Sequence, residues 1–282
     1  MPHSKPPGNV DPATVSGFGD EWSRFDQGEL LRNAPEHLAI FNSYFAVFPW
    51  QLLPRDAVGF DLGCGTGRWA ALVAERVGHL HCIDPSDALE VARRNLAGRG
   101  NCSFHRATVD AIPLADGAAD FGYSLGVLHH VPDTREGIQA CVRKLKPGAP
   151  FLIYLYYAFD NKPAWFRLIW RATEAVRFVV SRLPHALRYL ASQVLAGLIY
   201  FPVARAAAGL ERIACDVRHL PLSAYRNMSF YTMRTDALDR FGTRLEQRFT
   251  QAQIRQMMEE AGLKDIRFSD TVPYWCAVGI KG

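Results

Sequence analysis

Val58-Gly59-Phe60-Asp61-Leu62-Gly63-Cys64-Gly65-Thr66-Gly67-Arg68 is the stretch that decides the fold. An apolar run closes on an acid and then meets three glycines at alternate positions. Glycine lets the backbone take positive φ and lets a ligand approach the main chain closely. A helix opened by such a loop aims its first unpaired N–H groups at that ligand. Working outward, His79-Leu80-His81-Cys82-Ile83 reads as a second buried strand. Asp84 closes it, and Pro85-Ser86 leads into a helical pattern through Ala88, Val91, Ala92 and Leu96. In nucleotide-binding α/β folds an acid about 20 residues beyond the glycines accepts ribose hydroxyls. Asp84 lies 17 residues past Gly67 and suits that role, with capping of the next helix as its competing role.

The alternation of strand and helix continues. Strands are expected near 57–62, 79–83, 102–107, 119–125 and 150–157. A capping-box start at Thr250 and Gln253 opens a last helix, followed by strands near 264–269 and 274–280. This pattern predicts an α/β sheet. After the fourth strand comes Gly126-Val127-Leu128-His129-His130-Val131-Pro132-Asp133, on the sheet edge where ligands bind in open α/β folds. Tyr154 and Tyr156 end the fifth strand on one face of that edge and are expected to line an acceptor pocket.

The G-x-G-x-G spacing differs from the G-x-G-x-x-G/A of dinucleotide oxidoreductases, since Arg68 stands at the last small position. It resembles the first motif of the class I S-adenosylmethionine (SAM) methyltransferases. The run from Ile112-Pro113 to Asp133 resembles the small-molecule members of that superfamily. The resemblance covers Ala57 to about Tyr157 and resumes from Thr250 to Ile280. It implies a doubly wound seven-stranded sheet of order 3-2-1-4-5-7-6 with the last strand antiparallel. It also implies SAM as cofactor, leaving as S-adenosylhomocysteine, held by Asp61, Gly63, Cys64, Gly65, Gly67, Asp84, Pro85 and Leu125. Relatives carry an adenine-binding acid where Thr108 stands here, so Asp110 is the substitute and Val109 the residue expected against the adenine. N-terminal helices cap the cofactor pocket in this superfamily. That role would fall to Trp22, with Arg24 or Arg32 near the cofactor carboxylate. His130 matches the signature histidine and is the candidate base, with His129 second. Tyr231 and Arg234 lie in a linker that often contacts substrate in related enzymes.

Between the fifth strand and the last helix lies a long insertion, 158–245. From Asp160 to Phe230 it carries Lys162 and nine arginines against four acids, a net +6 in a chain of net +4. Trp165, Ile169, Val176, Val180 and Leu183 recur at helical spacing, with Arg167 and Arg171 on another side. The nearly uncharged run 189–204 falls short of the roughly 20 residues of a membrane span. A helical lid over an apolar substrate is the expected role. Peripheral contact with an anionic membrane and homodimerisation are the other two readings. The arginines are scattered along apolar helices, so no nucleic-acid partner is expected.

The chain has 282 residues, 49% of them hydrophobic, ample for one elaborated enzyme. Residues 1–19 read as a flexible leader, 20–157 as cap helices and SAM-binding core, and 246–282 as the end of the core. Six cysteines form no C-x-x-C pair, which suits a reducing cytoplasm. No metal site is expected. A small-molecule acceptor is the expected partner, with transfer to oxygen or nitrogen. A SAM-binding protein without methyl transfer, or a nicotinamide oxidoreductase, are the alternatives.

Overall fold

The structure is a computed structural model that describes residues 8–217 and 220–282. Met1–Pro7 of the expected leader, and Arg218 of the basic insertion, lie outside the described residues. Its elements in chain order are α1 (Pro12–Arg24), α2 (Gly28–Arg32), α3 (Ala34–Tyr44), β1 (Val58–Leu62), α4 (Ala70–Val73), β2 (His79–Ile83), α5 (Ala88–Asn95) and β3 (Cys102–His105). There follow β4 (Phe121–Leu125), α6 (Thr134–Lys144), β5 (Pro150–Tyr154), α7 (Ala164–Val180), α8 (His185–Leu195) and α9 (Phe201–Arg212). The chain closes with α10 (Phe230–Gly242), α11 (Gln251–Glu260), β6 (Leu263–Phe268) and β7 (Ala277–Lys281).

Two compact units result. One comprises residues up to Gln27, Leu38–Ala158 and Leu245–Gly282; the other comprises Gly28–His37 and Phe159–Arg244. Two expected boundaries need correction. The leader's end at residue 19 falls inside α1, which starts on Pro12 and is capped by Asp11, whose carboxylate accepts the Thr14 N–H at 3.1 Å. Gly28–His37, expected with the core, belongs to the helical unit. There the Glu36 carboxylate accepts from Ser229 N at 3.0 Å and from Thr232 Oγ1 at 2.8 Å.

The first unit holds a seven-stranded sheet of order β3-β2-β1-β4-β5-β7-β6. β7 runs antiparallel to both its neighbours, and the other pairs are parallel. Both faces are covered, as parallel sheets require. Phe60, Ile83, Ile138, Phe151 and Ile254 belong to one core, and Phe41, Leu80, Leu89, Phe121 and Tyr123 to the other. β1 and β4 pack an aromatic over a glycine in both directions. A Cβ at Gly59 would fall 2.2 Å from the Phe121 ring, and one at Gly122 would fall 2.3 Å from the Phe60 ring. The expected capping box opens α11, with Thr250 and Gln253 bonded reciprocally. β5 ends earlier than expected because the chain beyond Tyr154 changes partner: Tyr156 O accepts from Phe249 N and Ala158 N donates to Phe249 O.

The second unit is helical. α8, a π turn at Ala196–Tyr200 and α9 form one continuous helix, His185–Arg212, of 28 residues. This corrects the reading of 189–204 as a short run. Among the described residues it is the one helix long and apolar enough to cross a membrane, on length and composition alone.

Candidate functional site

The glycine loop leaves β1 in a conformation that side chains resist. Gly63, Gly65 and Gly67 have φ of 77°, 54° and 77°. Gly63 N–H and Cys64 N–H donate to the Ile83 carbonyl at 2.7 and 3.1 Å, tying the loop to the end of β2. A Cβ at Gly63 would collide with Val127 at 2.2 Å. At Gly65 the space is different, because a Cβ there would only touch the Trp22 indole nitrogen at 3.6 Å. The loop is therefore packed against Val127 behind Gly63, while Gly65 has only the Trp22 indole across it. Arg68 packs its guanidinium over Trp69 (4.5 Å) and Trp22 (5.6 Å).

Asp84 is buried and organises the loop. Its Oδ2 accepts Gly65 N–H at 2.9 Å, and its Oδ1 accepts Ser86 N–H at 2.9 Å and Ser86 Oγ–H at 2.6 Å. A carboxylate has about four acceptor positions, so one remains for a ligand hydroxyl. Burial raises the Asp84 pKa, against the lowering effect of the Ser86 and Gly65 bonds. Asp61, also buried, accepts the Tyr123 hydroxyl at 2.9 Å, and burial pushes its carboxyl up to about 8.

Of the other residues expected near the cofactor, Cys64 and Leu125 are buried in the core cluster on one sheet face. Pro85 lines an open groove of about 660 Å³ with Phe104, His105, Arg106, Thr108 and Pro113. Val109 is buried, in the core cluster that also holds Leu128. Asp110 is exposed, and a Cβ at Gly8 would fall 2.8 Å from its Oδ2. Arg24 pairs with Asp20 at 3.0 Å.

A second cluster forms where β4 ends. Leu128–His130 make one 3₁₀ turn, and both histidines are buried. The helix that follows is capped by Asp133, which accepts Glu136 N–H at 3.0 Å, so neither histidine serves as that cap. His130 Nδ1 lies 2.7 Å from the Leu245 carbonyl oxygen. A nitrogen facing a carbonyl must carry the proton, which leaves the neutral lone pair on Nε2. Tyr156 N–H donates to His129 Nδ1 at 3.4 Å, so neutral His129 carries its proton on Nε2. That Nε2 is buried without a hydrogen-bond partner. Burial, followed by the charges of His130 and Arg248, holds the His129 pKa well below the usual histidine range.

Aromatic rings line this cluster. Tyr156 stacks on His129 at 3.9 Å, and Phe18 meets His130 edge-on at 5.0 Å. Tyr154 and Tyr156 sit together at 5.9 Å, and Tyr44 meets Tyr154 at 5.1 Å. Burial raises the Tyr154 pKa well above the usual phenol range.

Tyr231 and Arg234 lie on α10 in the helical unit. Arg234 donates to Gln193 Oε1 at 2.5 Å and to the Tyr189 hydroxyl at 2.9 Å, and the Tyr231 carbonyl accepts from Thr235 at 3.1 Å. These bonds hold the helical unit together.

Sequence reasoning missed several residues. Asn9 clasps Asp133 with bonds of 2.7 and 2.8 Å, and Leu245 and Gln247 meet the histidine turn through backbone atoms. Such contacts span more than a hundred residues and leave no local pattern. Phe18, by contrast, belongs to the aromatic run that ends at Phe25 and was open to notice. Among the described residues no group of three or more His, Cys, Asp or Glu is placed to hold a metal ion.

A doubly wound sheet with an open glycine loop and a buried acid on the next strand defines a nucleotide-cofactor fold of the methyltransferase type. Comparison with known proteins specifies it. Residues 60–153 match the profile of a methyltransferase domain. A demethylmenaquinone methyltransferase from Clavibacter sepedonicus is 35% identical over 158 residues, which cover 53% of this chain and 59% of that protein. A ubiquinone biosynthesis O-methyltransferase from Nitrosomonas europaea is 32% identical over 164 residues, covering 52% and 69%. The match thus spans a little over half of the first of these relatives. An O-methyltransferase family protein from Burkholderia thailandensis shares the fold with a TM-score of 0.52 at 16% identity, covering 92% of this chain and 59% of that one. The chain belongs to the class I SAM-dependent methyltransferase superfamily, and SAM is its cofactor. The residues suit that cofactor: a Cβ at Gly65 would meet only the Trp22 indole, Asp84 keeps an acceptor for a ribose hydroxyl, and Asp61 offers a buried carboxyl to a cationic group.

Proposed function

We propose that the protein transfers the methyl group of SAM to an oxygen of a largely apolar small molecule, a lipid-linked hydroxyl included, in the cytoplasm. When bound, SAM supplies a sulfonium methyl that is already electrophilic. The protein's own work is to aim the acceptor, exclude water and take a proton. Positioning alone accounts for several kcal/mol of such accelerations. The observation that carries the oxygen reading is the bond from His130 Nδ1 to the Leu245 carbonyl, which turns the basic lone pair to Nε2. A hydroxyl acceptor must lose its proton as the new bond forms, and a histidine is suited to receive it near neutral pH. His129 takes the other role: desolvated and held neutral, it stays unprotonated at Nδ1 where Tyr156 N–H occupies the lone pair. Tyr154, Tyr156 and Phe18 give the acceptor aromatic walls. The related ubiquinone biosynthesis enzyme, an O-methyltransferase by name, supports transfer to oxygen.

The test uses a panel of phenolic and quinol acceptors. His130→Ala should lower kcat by about 10²–10⁴-fold with SAM affinity near that of the parent. The rise of rate with pH in the parent should flatten in the variant. An unchanged rate at every pH removes His130 from the mechanism, and turnover with amines but with none of these phenols or quinols assigns the acceptor atom to nitrogen.

A further inference from the structure

The helical unit places its polarity inside out. On α7, residues 165, 168, 169, 176 and 179 share one face at 3.6 residues per turn. These are Trp165, Leu168, Ile169, Val176 and Val179, all exposed, Leu168 by 67%. The inward side of the same helix holds ions: Glu174 pairs with Arg177 at 2.9 Å and with Arg240 of α10. The 28-residue helix repeats the pattern. Leu187, Leu190, Val194, Leu198 and Phe201 are exposed, Leu198 by 75%, while Arg188, Ser192 and Ala196 are buried. Of the apolar residues that recur at helical spacing, Val180 is buried and Trp165, Ile169 and Val176 are exposed. Soluble helices bury leucines; these two helices leave theirs outward, with Arg167, Arg171, Arg205 and Arg212 exposed as well.

Such outward faces suit hydrocarbon, and the charge around them says whose. The segment 160–230 carries a net +6. Arg182 lays its guanidinium over Phe178 at 3.5 Å, and Arg205 over Phe201 at 5.2 Å, as long cationic side chains do at the rim of an apolar surface. A second copy of the chain would set +6 against +6. An anionic lipid surface complements the charge and the apolar faces together. The 28-residue helix has one face packed on its own unit, with Ala196, Tyr200 and Ala204 in a core with Met233 and Phe241, so it lies in the membrane plane with one side immersed.

We infer that the outward faces of α7 and of His185–Arg212 form a monotopic anchor in the acyl–headgroup region of an anionic membrane. The inference stands on the helical unit alone, independently of the acceptor and of His130. The full chain is floated with vesicles of phosphatidylcholine plus phosphatidylglycerol, and of phosphatidylcholine alone, at low and high salt. It should float with the anionic vesicles, less so in high salt and least with neutral lipid. Leu168→Asp with Leu198→Asp, at outward positions that leave packing intact, should weaken flotation by roughly tenfold or more. Circular dichroism and SAM affinity should stay at parental values. Arg182→Glu with Arg205→Glu should remove much of the salt-sensitive part. No flotation at low salt overturns the inference. So does flotation indifferent to the leucine changes, or a homodimer in light scattering that those changes dissociate without any flotation.

Discussion

Gly63 and Gly65 share a motif but predict different losses. Alanine at Gly63 meets two penalties. The left-handed backbone at φ 77° costs about 1–2 kcal/mol for a side-chain-bearing residue. Its Cβ would also fall 2.2 and 2.6 Å from the two Val127 methyls, an overpacking of about 1–3 kcal/mol. The sum, about 2–5 kcal/mol, corresponds to a fall in midpoint of roughly 5–15 °C for a chain of this size. Alanine at Gly65 meets only the backbone penalty, since Trp22 at 3.6 Å is an ordinary contact. It projects instead toward the Trp22 indole, and SAM affinity should fall about tenfold or more. Thermal denaturation without cofactor and calorimetric titration with SAM separate the two. In a Val127→Ala background the two methyls are gone while that Cβ remains 2.9 Å away, so Gly63→Ala should be milder, with a coupling of about 0.5–3 kcal/mol. Equal destabilisation by both alanines, or unaltered SAM binding by Gly65→Ala, would refute this division of labour.

Asp84→Ala removes the acceptor of three loop hydrogen bonds and should weaken SAM binding by about 1.5–3 kcal/mol, read by calorimetry. Asp61 has its carboxyl raised from 3.8 to about 8, so between those values the native state keeps a proton that the unfolded chain has released. Stability of the cofactor-free protein should fall as pH rises through that window, by up to about 1.4 kcal/mol per unit. Asp61→Asn, which still accepts from Tyr123, should flatten that dependence in urea titrations at pH 5 and 8, and a parent with the same stability at both would contradict the argument.

The fold was legible where local chemistry dictates it. The acid-closed strands, the G-x-G-x-G loop, and the capping box at Thr250 each use neighbours in sequence, so each left a readable pattern. The order of the strands came from resemblance, because sheet topology is a long-range property. The site was legible in its identities and less so in its arrangement. Asp84 was expected to choose between ligand and cap, yet it binds the loop itself through Gly65 and closes a turn on Ser86. Val109, expected against a cofactor ring, is a member of the core cluster that holds Leu128. In the helical unit, periodicity shows that α7 has an apolar face but not which way that face turns, and Glu174 with its two arginines takes the inward side.

Electrostatics gives a reason for the cofactor that is independent of motif spacing. Two carboxyls are buried at the loop, and each charge raises the cost of the other, since Asp84 is among the groups lifting Asp61. Asp84 has three donors to offset its burial, while Asp61 has Tyr123 and a weaker contribution from Arg68. A ligand that brings negative charge to this place meets two acids with little room for compensation. A pyrophosphate-bearing dinucleotide would have to displace that field, and Arg68, engaged over Trp69 and Trp22, is poorly placed to help. A ligand that brings hydroxyl donors and positive charge relieves it: hydroxyls fill the last acceptor of Asp84, and an ammonium or sulfonium draws Asp61 toward its ionised form. SAM has both and no phosphate. SAM should therefore bind and NAD should not in calorimetric titration, and equal affinity for the two would overturn this electrostatic argument.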